Sequence, residues 1–152
     1  MGMHSEHCSP PAERIVIATP VWGSEHVDRL FTLSLRTLIQ SQQSDFPAAD
    51  VNVMILTTQD DLEHVTLRIH AFGLPSWVTF NVYADPGLSK SVHQGVDRYE
   101  IAAYCFSQVI RSIPKDVILV WNSADYIWSK NSLAHTIREL GHSGHADIIG
   151  VA

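Results

Sequence analysis

Basic charge is scarce in this chain. Ten Lys and Arg stand against sixteen Asp and Glu in 152 residues, the net charge is −6 with His neutral, and no basic run or stripe is visible. Nucleic acid is therefore not expected as the main partner, because binding to a phosphate backbone rests on clustered Lys and Arg. No apolar stretch approaches the roughly 18 residues of a membrane helix. Cysteine is nearly missing: Cys8 and Cys105 lie far apart and form no CxxC pair. Cys105 falls in an apolar helical pattern and reads as a buried thiol, which fits a reducing compartment. Residues 1–13 include Pro10-Pro11 and lack the apolar core of a signal peptide. Missing too are a G-x-S-x-G elbow, a P-loop and a G-x-G-x-x-G turn, so hydrolase, kinase-type and dinucleotide readings lose support. There is no internal repeat and no low-complexity segment.

What remains is a chain with 45% hydrophobic and 17% charged residues, a globular rather than a disordered composition. Its length suits one domain with a real core. The expectation is a soluble cytoplasmic protein with a flexible tail over residues 1–13 and a single α/β domain over residues 14–152. Nine His make the charge balance sensitive to acid below about pH 6.5.

Strands and helices alternate along that domain. Arg14-Ile-Val-Ile-Ala-Thr19 predicts a first buried strand, and Pro20 and Gly23 punctuate the loop after it. Ser24 can cap a helix carrying Val27, Leu30, Phe31, Leu35, Leu38 and Ile39 at helical spacing to about residue 42. Val51 to Leu56 predicts a second strand, and Asp60 or Asp61 caps a helix that stops at Gly73. Trp77 to Tyr83 predicts a third strand, followed by a turn at Asp85-Pro-Gly87. A long helix is expected from about Ser89 to Ile113, with Gly95 arguing against an unbroken one and Pro114 ending it. Val117 to Trp121 is a five-residue apolar run that suits a strand buried on both faces. A helix from about Asn131 to Leu140, a loop at Gly141 to His145 and a fifth strand at Ile148 to Ala152 complete the order.

This alternation predicts a three-layer, Rossmann-like fold: a mostly parallel sheet with helices on both faces and right-handed crossovers. The long connection before the fourth strand lets it return to the other side of the first, giving the order 3-2-1-4. Ligands of open α/β sheets bind outside the carboxyl ends of the strands at such a switch point. There the loop Thr19 to Gly23 would meet the segment Asn122 to Asp125.

Asp125 is the sharpest candidate in that crevice. Its carboxylate could hold a divalent ion that bridges phosphate oxygens, or it could cap the following segment. Asn122 and Ser123 could add weaker oxygen contacts or satisfy loop backbone groups. Trp22 could stack on a base or sugar, or cover the edge of the core. Thr19 and Gly23 could let backbone approach a ligand closely. Asp60 could accept a ribose or base hydrogen bond, with helix capping the plainer role. Tyr126 and Trp128 could wall the pocket or pack into the core. His4, His7 and Cys8, and likewise His142 and His145, resemble metal ligands by type but lack a paired cluster of fixed spacing.

Three segments together resemble the nucleotide-diphospho-sugar transferases of the GT-A fold: Ile15-Val-Ile-Ala-Thr-Pro-Val-Trp-Gly23, Thr57-Thr-Gln-Asp60, and Ala124-Asp-Tyr-Ile-Trp-Ser-Lys-Asn-Ser132. The resemblance covers about residues 14–152. It implies a glycosyltransferase-like protein whose donor, a UDP- or GDP-linked sugar, is held by Thr19, Pro20, Trp22, Gly23, Asp60, Asn122 and Asp125. It also implies a divalent ion, Mn2+ or Mg2+, on the diphosphate, with Asp125 as its ligand. The family's motif after the fourth strand usually carries two acids, whereas Asn122-Ser-Ala-Asp125 carries one. Such enzymes also need a second half for the acceptor. The chain therefore resembles a donor-binding half, and no residue is assigned as catalytic base. The alternative is a non-catalytic binding or assembly module that kept the fold, and a sheet edge could pair it with another copy.

Overall fold

Alternation along the first strand decides the layering. In β1 (Arg14–Pro20), Ile15 and Ile17 point to one side of the sheet while Val16 and Ala18 point to the other, and all four are buried. A strand with both faces apolar is stable only when helices cover both. The computed structural model describes residues 14–41, 50–73 and 75–135, and within them that is the arrangement. β1 lies between β2 (Asp50–Thr57) and β4 (Ile118–Trp121), β2 pairs with β3 (Val78–Ala84), and all pairings are parallel. The strand order is β3-β2-β1-β4, as the connection lengths predict.

One face is covered by a continuous helical stretch after β1 and by α3 (Leu62–Phe72). That stretch consists of α1 (Ser24–Arg29), a π-helical turn at Leu30–Ser34 and α2 (Leu35–Ser41). Val27, Leu30, Phe31, Leu35, Leu38 and Val65 pack there against Ile15, Ile17, Val51, Val53 and Ile55. α3 is also tied to α1 by charge. Arg68 Nε donates to Asp28 Oδ1 at 2.8 Å, and His64 Nε2 lies 2.9 Å from the same oxygen. Desolvation would raise the Asp28 carboxyl, but the Arg68 hydrogen bond and charge, helped by His64, hold it below its ordinary range.

The other face is covered by α4 (Pro86–His93) and α5 (Arg98–Ser112). Leu88, Ile101, Cys105 and Val109 pack there on Val16, Ala18, Met54 and Leu56. Cys105 is fully buried, as its pattern predicts, and burial, with the Asp85 charge adding to it, pushes its thiol up to about 12. Three layers follow: helices, sheet, helices.

Local chemistry corrects several expected boundaries. The helix expected over Ser89 to Ile113 is two helices. Gly95 turns the chain with φ +67°, and Asp97 restarts it by accepting from the Tyr99 N–H at 2.9 Å. Asp85-Pro-Gly87 opens α4 rather than making a free turn: Asp85 accepts from the Leu88 N–H at 2.8 Å, and Pro86 occupies the first helical turn. Ser24 lies inside α1, and Gly23 holds the cap position with φ +83° and no side-chain cap. The tail, the helix beyond residue 135, the loop 141–145 and the fifth strand lie outside the described residues.

Candidate functional site

The carboxyl ends of β1 and β4 are neighbours, so the crevice forms where the strand order reverses. Asn122 follows β4 directly. Its N–H donates to the Ala18 carbonyl at 2.9 Å and extends the ladder by one step. Its side chain is fully buried, and both ends of the amide are used. The Nδ2 donates to Thr19 Oγ1 at 3.3 Å, while Oδ1 accepts from Ser34 Oγ at 3.0 Å and from Trp128 Nε1 at 3.1 Å. Thr37 Oγ1 accepts from the Trp128 N–H at 3.0 Å. Asn122 therefore fastens the end of β1, the π-helical turn and the loop after β4 to one point. Thr19 and Asn122 are both fully buried, and neither offers its side chain to solvent. Pro20 is half-buried at the end of β1.

The first loop is held from the turn that follows β2. Asp61 occupies the cap position of α3, yet its carboxylate takes no helix amide. Instead Oδ2 accepts from the Gly23 N–H at 2.8 Å and from Thr58 Oγ1 at 2.7 Å, and the Asp61 N–H returns to Thr58 Oγ1 at 3.2 Å. Asp60, the residue the sequence points to, is exposed and lies 3.1 Å from His93 Nε2 at the end of α4. Trp22 is half-buried and packs on the cluster under α4 and α5, the edge-covering role.

Asp125 reaches solvent, with its side chain 59% exposed, but it is not alone. Arg29 Nη1 donates to Asp125 Oδ1 at 3.1 Å, and Arg29 Nη2 donates to Glu25 Oε1 at 2.6 Å. The hydrogen bond to Asp125 and the charge of Glu25 raise the already high pKa of the guanidinium further. Tyr126 and Ile127 stand exposed beside Asp125, and Trp128 turns inward.

Of the seven residues expected to hold a donor, Gly23, Asp60 and Asp125 are exposed, Pro20 and Trp22 are half-buried, and Thr19 and Asn122 form the floor. Arg29, Asp61 and Ser34 were not legible as parts of this edge. Thr58-x-x-Asp61 has the spacing of a helix-start signature, and Glu25 and Arg29 the spacing of a helical ion pair, so each had a local signal. Neither signal says that the side chain crosses to another loop.

A divalent ion would take Asp125 as its protein carboxylate only by competing with Arg29. Among the described residues no group of three or more His, Cys, Asp and Glu stands together. Asp125 and Glu25 are both already paired with the Arg29 cation, a poor match to the several free oxygens such ions require. Among the same residues no helix is long and apolar enough to cross a membrane. No protein-family model, no curated protein and no solved structure matches this chain, so its functional reading rests on its own residues and geometry.

Proposed function

We propose that the crevice between the ends of β1 and β4 binds a nucleotide-diphosphate sugar, as in a GT-A-type glycosyltransferase or its donor-binding half. The observation that carries this reading is the parallel order β3-β2-β1-β4, with the loops after β1 and β4 joined at Asn122. That order puts two polar loops at the switch point where α/β sheets take ligands. Transfer in such a site would depend mainly on positioning the donor and stabilising the diphosphate leaving group. Arg29, which pairs with Asp125, would meet the diphosphate, while Gly23 and Trp22 would border the nucleoside.

A second reading has its own support. Asp125, Asp60 and Asp61 are each engaged by a group of the protein, and the edge carries Glu25 besides. An edge whose acids are committed to holding loops together suits a binding or assembly module without transfer chemistry.

A thermal-shift titration with UDP, GDP and their sugars, with and without Mn2+ or Mg2+, separates the two. Donor binding raises the melting temperature in proportion to the logarithm of ligand concentration above its dissociation constant. Asp125→Ala should remove any metal-dependent part of the shift, and Arg29→Ala the metal-independent part. A well-folded protein that shifts with none of these nucleotides would rule out the donor site.

A further inference from the structure

α5 carries a second row of apolar side chains besides the one that faces the sheet. Ile101, Cys105 and Val109 face the sheet. Tyr99, Ala103, Phe106 and Ile110 form a second stripe, roughly 130° round the helix from the first, with Tyr99 70%, Phe106 42% and Ile110 48% exposed and Ala103 exposed too; Arg98 lies over one face of the Tyr99 ring, 4.9 Å from its centroid. Their 4-3-4 spacing is that of a helix seam that packs on a second helix, whereas the solvent face of an outer helix is ordinarily polar. Phe106 also touches Trp121 of β4, with ring centroids 5.3 Å apart, so the stripe runs on to the strand that pairs only with β1 among the described residues.

The seam is self-complementary. We propose that it is the interface of a two-fold dimer in which α5 packs antiparallel on α5 of a second copy. Centred between Ala103 and Phe106, that pairing sets the small Ala103 against the partner's Phe106, and Tyr99 against the partner's Ile110. Each pair occurs twice, as a two-fold axis requires. Glu100 and Arg111 lie on the same flank of the stripe and are both exposed. Reversing the second helix brings Glu100 within about one helical turn of the partner's Arg111, again twice. Large opposes small in the seam, and acid opposes base beside it. A pair of 15-residue helices, each about 22 Å long, buries less than the ~800 Å2 per partner of a standard interface, so this dimer dissociates on dilution.

Size-exclusion chromatography with light scattering on the full chain, over a dilution series, tests it. The mass should be twice that of the monomer when concentrated and fall to the monomer on dilution. Phe106→Glu, and separately Tyr99→Glu at the more exposed end, should leave only monomer with an unchanged circular dichroism spectrum. Glu100→Arg should weaken association about threefold to tenfold, and combining it with Arg111→Glu should restore it. A monomer at every concentration overturns the proposal. So does a dimer that survives both Glu variants, or one in which the double charge reversal is no better than the single.

Discussion

Asn122 shows how much one side chain can decide. It stands where the resemblance to sugar transferases expects a ligand contact, and both ends of its amide bond to the protein instead: Thr19, Ser34 and Trp128. Buried polar groups are costly when a partner is withdrawn, at roughly 1–3 kcal/mol for each group left unpaired. Asn122→Ala leaves the Ser34 hydroxyl and the Trp128 indole N–H without their shared acceptor. Urea unfolding should show a loss of about 2–4 kcal/mol, among the larger single-residue effects in a domain of this size. A loss within ~0.5 kcal/mol would mean that the hub is not structural. At this scale the sequence marked Asn122 and Asp125 by their place after an apolar run. It could not tell that one is turned inward and the other outward, because a strand's last pleat and the turn after it set that direction.

Between residues and fold, the helices were legible in type and less so in extent. α3 stops at Gly73, which adopts φ +69°, and the break between α4 and α5 falls at Gly95, both positions where glycine is the readable signal. The start of α4 differs from the expected turn because Asp-Pro-Gly serves a turn and a helix start equally well. What separates the two here is distant. Tyr104 of α5 donates to Asp85 Oδ1 at 2.8 Å, the same oxygen that accepts from the Leu88 N–H. Burial first, and the Asp85 hydrogen bond second, push the Tyr104 phenol up to about 12. That docking leaves no room at Gly87, where a Cβ would run into the Tyr104 hydroxyl. Gly87→Ala should therefore destabilise by about 1–3 kcal/mol through overpacking. In a Tyr104→Ala background the same change should be neutral or stabilising, since Ala exceeds Gly in helix propensity by about 1 kcal/mol. A double-mutant cycle by urea unfolding measures this, and equal costs in both backgrounds would refute the close approach. The π-helical turn at Leu30–Ser34 had no signal in the helical periodicity. It accompanies a tertiary demand, the delivery of Ser34 to Asn122.

For the whole molecule, stability should be graded across the sheet. β1 is bonded on both edges and covered on both faces, whereas β3 and β4 each have a single strand partner among the described residues. Native-state hydrogen exchange should find the amides of Ile15 to Thr19 and of Val51 to Leu56 slowest, with those of Ile118 to Trp121 faster. Equal protection in β4 would reveal another strand beside it. The sequence by itself determined the class and order of this fold. Apolar runs with both faces buried demand helices on both sides, and the length of the connections admits few routes for a right-handed chain. Tertiary structure alone decided which side chains meet at the ends of β1 and β4. Arg29 and Asp125 are 96 positions apart and Gly23 and Asp61 are 38 apart, and no periodicity encodes such meetings. They arise because parallel strands deliver their carboxyl ends to one edge, where charges separated along the chain become neighbours.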